Sequence, residues 1–172
     1  MSAFFSRAPL VAALVLAVGA CSTSTPLGIS GNGGGGNNAT TEAEYDIALK
    51  KWQTTGPLHY RIVVQHTCEC ATDMQRATRV TVLRNATENT ENIEDVVDAA
   101  TLQPVGQDRR LAAKSVDGLL VLISQGLGLN PAEARITYDS GLGYPLSINI
   151  DPVPSIAGDE IVYKVTSFEA IP

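Results

Sequence analysis

Leu58-His59-Tyr60-Arg61-Ile62-Val63-Val64-Gln65-His66-Thr67-Cys68-Glu69 decides the fold of this chain. Tyr60, Ile62, Val64 and His66 fall on one side of an extended backbone, and Arg61, Val63, Gln65 and Thr67 on the other. A period of two with aromatic and β-branched residues on one side predicts a half-buried strand. Gly56-Pro57 ends whatever precedes it. There Tyr45, Ala48, Leu49 and Trp52 recur at i, i+3, i+4 and i+7, one face of a helix, and Thr41 and Glu44 stand at capping-box spacing. Downstream, Ala77–Arg84 alternates again, with Val80 and Val82 inward and Arg79 and Thr81 outward. The link from Ala71 to Arg76 makes the two strands a hairpin.

Asn85 to Arg110 is rich in Asn, Glu, Asp and Gln, with a short β-like patch at Ile93 to Val97, and reads as a long loop or an edge strand. Val116, Leu119, Leu120, Ile123 and Leu127 then return to helical spacing behind Ser115 as N-cap, with Gly126 and Gly128 closing the helix. Three strands follow, at Ala134 to Asp139, Leu146 to Asp151 and Glu160 to Phe168. The order of elements predicts α+β: an antiparallel sheet of five to six strands with two helices packed on one face. Residues 42–172 have the size of one such domain.

Ahead of the domain, Arg7 is followed by an apolar run of 13 residues, Ala8 to Ala20. A spanning helix needs about 20, so the run has the layout of a secretory signal peptide. Val18-Gly19-Ala20-Cys21 resembles the lipobox of bacterial lipoproteins. The resemblance implies that residues 1–20 are removed, that the Cys21 thiol is diacylated, and that the new N-terminus is acylated too. An ordinary signal peptide cut after Ala20 shares the small residues but leaves Cys21 without a role. Several acyl chains, each contributing about 0.8 kcal/mol per buried CH2, hold a protein where one chain does not. Ser22, rather than Asp, after the cysteine implies an outer-membrane address facing the periplasm in a two-membrane bacterium. Residues 21–41 form a Gly/Asn/Ser/Thr linker with four consecutive glycines and a reach of roughly 25 Å. No Gly-Lys-Ser/Thr follows the glycines, so they are not a phosphate loop.

Losing Arg7 with the leader leaves 11 basic and 18 acidic residues, a net charge of −7. That balance argues against nucleic acid as a partner and against electrostatic docking on anionic lipid.

Cys68-Glu69-Cys70 is the most chemical-looking motif of the domain. With Cys21 consumed by lipid, the remaining pair is even, and an oxidising compartment favours a disulfide. On a straight strand the two Cα atoms would lie about 6.5–6.8 Å apart, so a bridge needs a bend. Two other readings share these residues. His66, Cys68 and Cys70 on one strand face form an N,S,S set suited to copper(I) or zinc, lacking a fourth ligand. A redox dithiol is the other, without the Cys-x-x-Cys spacing that lowers a thiol pKa. His59 and His66 are the only near-neutral bases, and no Gly-x-Ser-x-Gly turn accompanies them, which speaks against a hydrolase. Asp139, Asp151, Asp159 and Glu160 lie at turns and strand ends without EF-hand spacing. Trp52, Tyr138, Tyr144 and Tyr163 either line a groove or pack the core. No cofactor is expected.

Taken together, Trp52, Gly56-Pro57 with Tyr60, Cys68-x-Cys70, Val80-x-Val82, Ser115-Val116-Asp117-Gly118-Leu119, Ile136-x-Tyr138-Asp139, Gly143-Tyr144-Pro145, Ile148-x-Ile150-Asp151 and Asp159-Glu160 with Tyr163-x-Val165 resemble a family of small bacterial lipoproteins. Its domain is one of unknown function. The resemblance implies an exported single domain with paired cysteines and no stated activity; segment 85–114 departs from it. The expected role is non-enzymatic: a lipid-anchored envelope protein that binds a protein partner or supports structure. The open sheet face or a surface at Tyr138, Tyr144 and Pro145 would make the contact. The alternative is thiol or soft-metal handling at Cys68 and Cys70.

Overall fold

The computed structural model describes residues 42–85, 87, 88 and 90–172. Thr41 of the expected capping box, the leader, Cys21 and the linker lie outside them. Helix α1 spans Glu42–Thr55 and strand β1 His59–Thr67. A 3-10 turn at Thr72–Gln75 leads to β2, Thr78–Asn85, and β3, Thr90–Asp98. Helices α2, Gln107–Ala112, and α3, Val116–Gly128, come next. Strands β4, Glu133–Tyr138, β5, Pro145–Asp151, and β6, Ile161–Ala170, complete the domain. The fold is α+β, with all six strands in one antiparallel sheet ordered β3-β2-β1-β6-β5-β4.

Alternation works as the sequence predicts. Tyr60, Ile62, Val80, Val82, Ile148 and Ile150 are buried on the face that meets Trp52 of α1 and Leu119, Leu120 and Ile123 of α3. Ser115 caps α3, its hydroxyl accepting from the Gly118 N–H at 3.0 Å. Gly126 lies inside α3 rather than ending it. A Cβ there would come within 2.8 Å of Ile150, so a residue without a side chain lets the helix approach β5.

Two bulges reset the alternation. Between β1 and β6, Val63 pairs with Ser167 but Val64 with Val165, leaving Thr166 extra. Val165 and Phe168, three apart, thereby both pack on the core. Between β2 and β3, Thr81 pairs with Asp95 and Val82 with Ile93, leaving Glu94 extra. Val96 is consequently buried opposite Val80, while Glu91 comes opposite Arg84 on the same inner side.

The polar segment that reads as a long loop or an edge strand contains both the edge strand β3 and the short helix α2, held by a buried ion pair. Arg109 of α2 and Asp98 of β3 are 4% and 5% exposed. Arg109 Nη1 lies 2.8 Å from Asp98 Oδ2, its Nε donates to Thr78 Oγ1 at 3.0 Å, and its Nη2 to the Ala77 carbonyl at 2.6 Å. Asp98 Oδ1 accepts from the N–H groups of Ala100 and Thr101 and from the Thr101 hydroxyl. Those bonds, the Thr101 N–H above all, with Arg109 beside them, hold the Asp98 carboxyl well below the usual carboxylate range.

Candidate functional site

Five elements bring polar side chains to one junction under the helices. Trp52 arrives from α1, Tyr60 from β1, Arg84 from β2, Glu91 from β3, and Ser115 and Asp117 from the start of α3. The Trp52 indole N–H donates to Asp117 Oδ1 at 2.5 Å. Arg84 Nε sits 3.5 Å from Asp117 Oδ2, and its guanidinium lies over the indole, 4.8 Å from the ring centroid. The Tyr60 hydroxyl accepts from the Val116 N–H at 3.1 Å and donates to Glu91 Oε2 at 3.4 Å. The Ser115 hydroxyl donates to Glu91 Oε1. One serine thus caps α3 and ties that helix to β3.

The electrostatics follow from two carboxyls at one junction, of which Asp117 has the Arg84 guanidinium as its ion-pair partner. Burial, and then the Asp117 carboxyl, push Glu91 above the ordinary carboxylate range, against the pull of the Ser115 hydroxyl. Burial, with Glu91 adding to it, pushes the Tyr60 phenol far up, so it remains a donor. The junction is not sealed. Glu91 and Asp117 line a cavity of about 230 Å³ with Tyr45, Leu49, Gln53 and Leu120. Glu91 also borders a broader depression of about 530 Å³ beside Leu58, Leu83 and Arg84.

A raised carboxylate pKa makes the folded state hold a proton that the unfolded state releases. This contribution to stability is complete below the unfolded value near 4.3 and is lost as pH rises through the folded one. Glu91→Gln keeps one acceptor oxygen, for the Ser115 hydroxyl, turns an amide N–H to the Tyr60 oxygen in place of the second, and has no charge to bury. The variant is expected to match its parent near pH 4 and to be the more stable at pH 7–8. Urea midpoints across that range check it; a difference that does not widen with pH contradicts it.

The cysteine pair sits at the other end of β1. The strand stops at Thr67, the chain bends, and the Cys68 and Cys70 Cα atoms come to 5.2 Å with their sulfurs joined. Gln75 of the 3-10 turn donates to both cysteine carbonyls at 3.1 Å, which clamps the bend. The proposed third ligand, His66, lies flat on Tyr163, ring centroids 4.4 Å apart. Among the described residues no three His, Cys, Asp or Glu side chains are grouped to hold a metal ion.

The tyrosine turn is used internally. Tyr144 stacks on Phe168 at 4.4 Å, Pro145 is buried, and the Tyr138 hydroxyl is enclosed without a hydrogen-bond partner. Gly143 has φ +81°, and a Cβ on it would lie 2.4 Å from the Ala48 carbonyl of α1. Asp139 Oδ1 accepts from the N–H groups of Gly141 and Leu142, the ordinary turn role. His59 pairs with Glu94 at 2.9 Å. Asp151 is pushed up by burial and then by Asp159, Glu160 and Glu133 around it.

Of the residues quoted from the sequence, Trp52, Tyr60, Ser115 and Asp117 reach the polar junction, whereas His66 and Tyr163 meet elsewhere. Glu91 and Arg84 were not among the candidates. The parity of Val80 and Val82 carries a signal for Arg84; Glu91 is inward only because of the Glu94 bulge.

Residues 44–170 match the model of a family of unknown function, DUF6174. No curated protein and no solved structure matches the chain.

Proposed function

Because this chain belongs to that family of unknown function, its role rests on its own residues, and we propose that it is a lipid-anchored cell-envelope protein whose domain is a non-enzymatic binding module. Support for the anchor comes from Val18-Gly19-Ala20-Cys21 behind a short apolar run, with membrane lipid engaged through acylated Cys21 and Ser22 favouring the outer membrane. Among the described residues no helix is long and apolar enough to cross a membrane. The observation that carries binding is the Glu91–Asp117 pair. Two carboxyls lining one cavity walled by Tyr45, Leu49 and Leu120, only Asp117 of them paired with a guanidinium, suit an envelope partner that inserts a cationic side chain with an apolar stem.

The test has two arms in intact cells. Cys21→Ser is expected to move the protein from the membrane to the soluble fraction and to remove acyl mass; retention in the membrane would overturn the anchor. A photo-crosslinking residue at Val121, which lines the cavity and is 54% exposed, is expected to capture a discrete envelope protein. The same residue at Asn149 on the opposite sheet face captures none, and adding Glu91→Gln abolishes capture at Val121. Capture indifferent to Glu91→Gln, or none at all, would overturn the binding reading.

A further inference from the structure

Beside the 3-10 turn, His66, Arg76, Thr78, Arg109, Lys114 and Tyr163 surround a cavity of about 10 Å³, room for one water or one ligand oxygen. With its mouth the empty space is about 270 Å³. Its lining holds three cationic side chains and no carboxylate. Arg76 and Arg109 both pair with Asp98, at 2.9 and 2.8 Å, and each also reaches the exposed Asp73, at 3.9 and 3.4 Å. Lys114 is a third cation, facing His66 and with no acidic partner among the described residues. With Asp98 and Asp73 set against the two arginines, the charge left uncompensated at the pocket is that of Lys114.

His66 supplies the second observation. Its ring is fixed flat on Tyr163, 12° from parallel, and its Nδ1 is closed off from solvent without a hydrogen-bond partner. Buried polar atoms are ordinarily satisfied by protein, water or a bound molecule. Burial, and then the Lys114 ammonium, hold the imidazole below its ordinary pKa.

We propose that this pocket is an oxyanion site that takes a phosphate group, one oxygen entering beside His66 Nδ1 and the others meeting the Lys114 ammonium. A dianion matches a lysine together with a histidine that gains a proton on binding, where a single carboxylate would satisfy only one of them. The phosphate is either free or carried on a lipid headgroup, and the two are separable by experiment.

The full-length acylated protein, in maltoside micelles and labelled with 15N-histidine, gives two imidazole signals, His59 and His66. Inorganic phosphate, against chloride at equal ionic strength, is expected to raise the His66 pKa by about one unit and leave His59 unmoved. Lys114→Ala is expected to start from a higher His66 pKa and to lose the phosphate response, while Lys114→Arg retains it. A water-soluble short-chain phosphatidic acid is titrated in parallel. A response to the lipid alone assigns the site to a headgroup, and a response to both assigns it to the phosphate group in either form. The proposal is overturned if neither ligand moves His66, if both histidines move alike, or if Lys114→Ala responds as the parent does.

Discussion

Replacing Arg109 with methionine is expected to lower folding stability by about 3–5 kcal/mol, the usual result of removing one partner of a buried ion pair. The arginine makes four contacts at once: Thr78, Ala77, Asp73 and Asp98. Methionine fills much of the volume and satisfies none of them. Asp98 is then left with Arg76, whose side chain is 49% exposed and more easily drawn into water. Domains of this size are ordinarily stable by about 5–15 kcal/mol, so the loss is a large part of the whole. Urea unfolding of parent and variant measures it. Asp98→Asn added to Arg109→Met is expected to recover much of the loss, because the orphaned charge goes with it; a double variant as unstable as the sum of the singles would place the damage in packing instead. The pH dependence has a definite sign. A carboxylate held below its ordinary pKa contributes stability that is present above the unfolded value, near 3.9, and lost as pH falls toward the folded one. The parent should therefore weaken steeply below pH 4 and Arg109→Met less so, the reverse of the trend expected from Glu91.

Trp52→Ala is expected to cost a comparable amount, about 3–5 kcal/mol. The indole is fully buried, edge-on to Tyr60 at 5.3 Å and to Phe168 at 5.9 Å. It also lies against Gly56 so closely that a Cβ there would meet the ring at 2.8 Å. Packing and polarity can be separated at this residue. Trp52→Phe keeps an aromatic ring over the core but leaves Asp117 without the indole N–H, and is expected to cost about 1.5–3 kcal/mol, the range for a hydrogen bond to a charged group. Circular dichroism follows both variants, since Trp52 is the chain's single tryptophan and its fluorescence vanishes with it. A phenylalanine variant as stable as the parent would show that the bond to Asp117 contributes nothing.

What the sequence made readable follows from how local each signal is. Tyr45, Ala48 and Trp52, or Val116, Leu119 and Ile123, announce their helices through spacing alone. Strands β1, β2, β4, β5 and β6 do so through alternation. Helix α2 is six residues, QDRRLA, too short to show a period, and the run before it is polar. Its anchor, Arg109 on Asp98, joins two residues whose pairing no local pattern encodes. The candidate site was hidden for a similar reason. Trp52, Tyr60 and Ser115–Asp117 are visible as helix and strand markers, yet their convergence depends on Glu91, which parity counted from Val96 puts on the wrong face. The extra residue at Glu94 corrects the parity, and a bulge has no reliable signature in residue types. At Cys68-Glu69-Cys70 the chain bends, and the Cα atoms stand 5.2 Å apart where a straight strand would hold them farther.

The first and last strands of the sheet are its two central ones. Arg61 and Glu169, which face each other across β1 and β6, are 108 residues apart in the chain. The ladder that joins the two three-stranded halves therefore cannot close until the final strand is available, and until then Tyr60 and Ile62 lack Phe168 as cover. Pairings of such long sequence separation form late and slowly. Were the chain exported N-terminus first, as proposed above, this topology would set the time of folding. The two halves of the sheet would stay unjoined until β6 had come through to pair with β1.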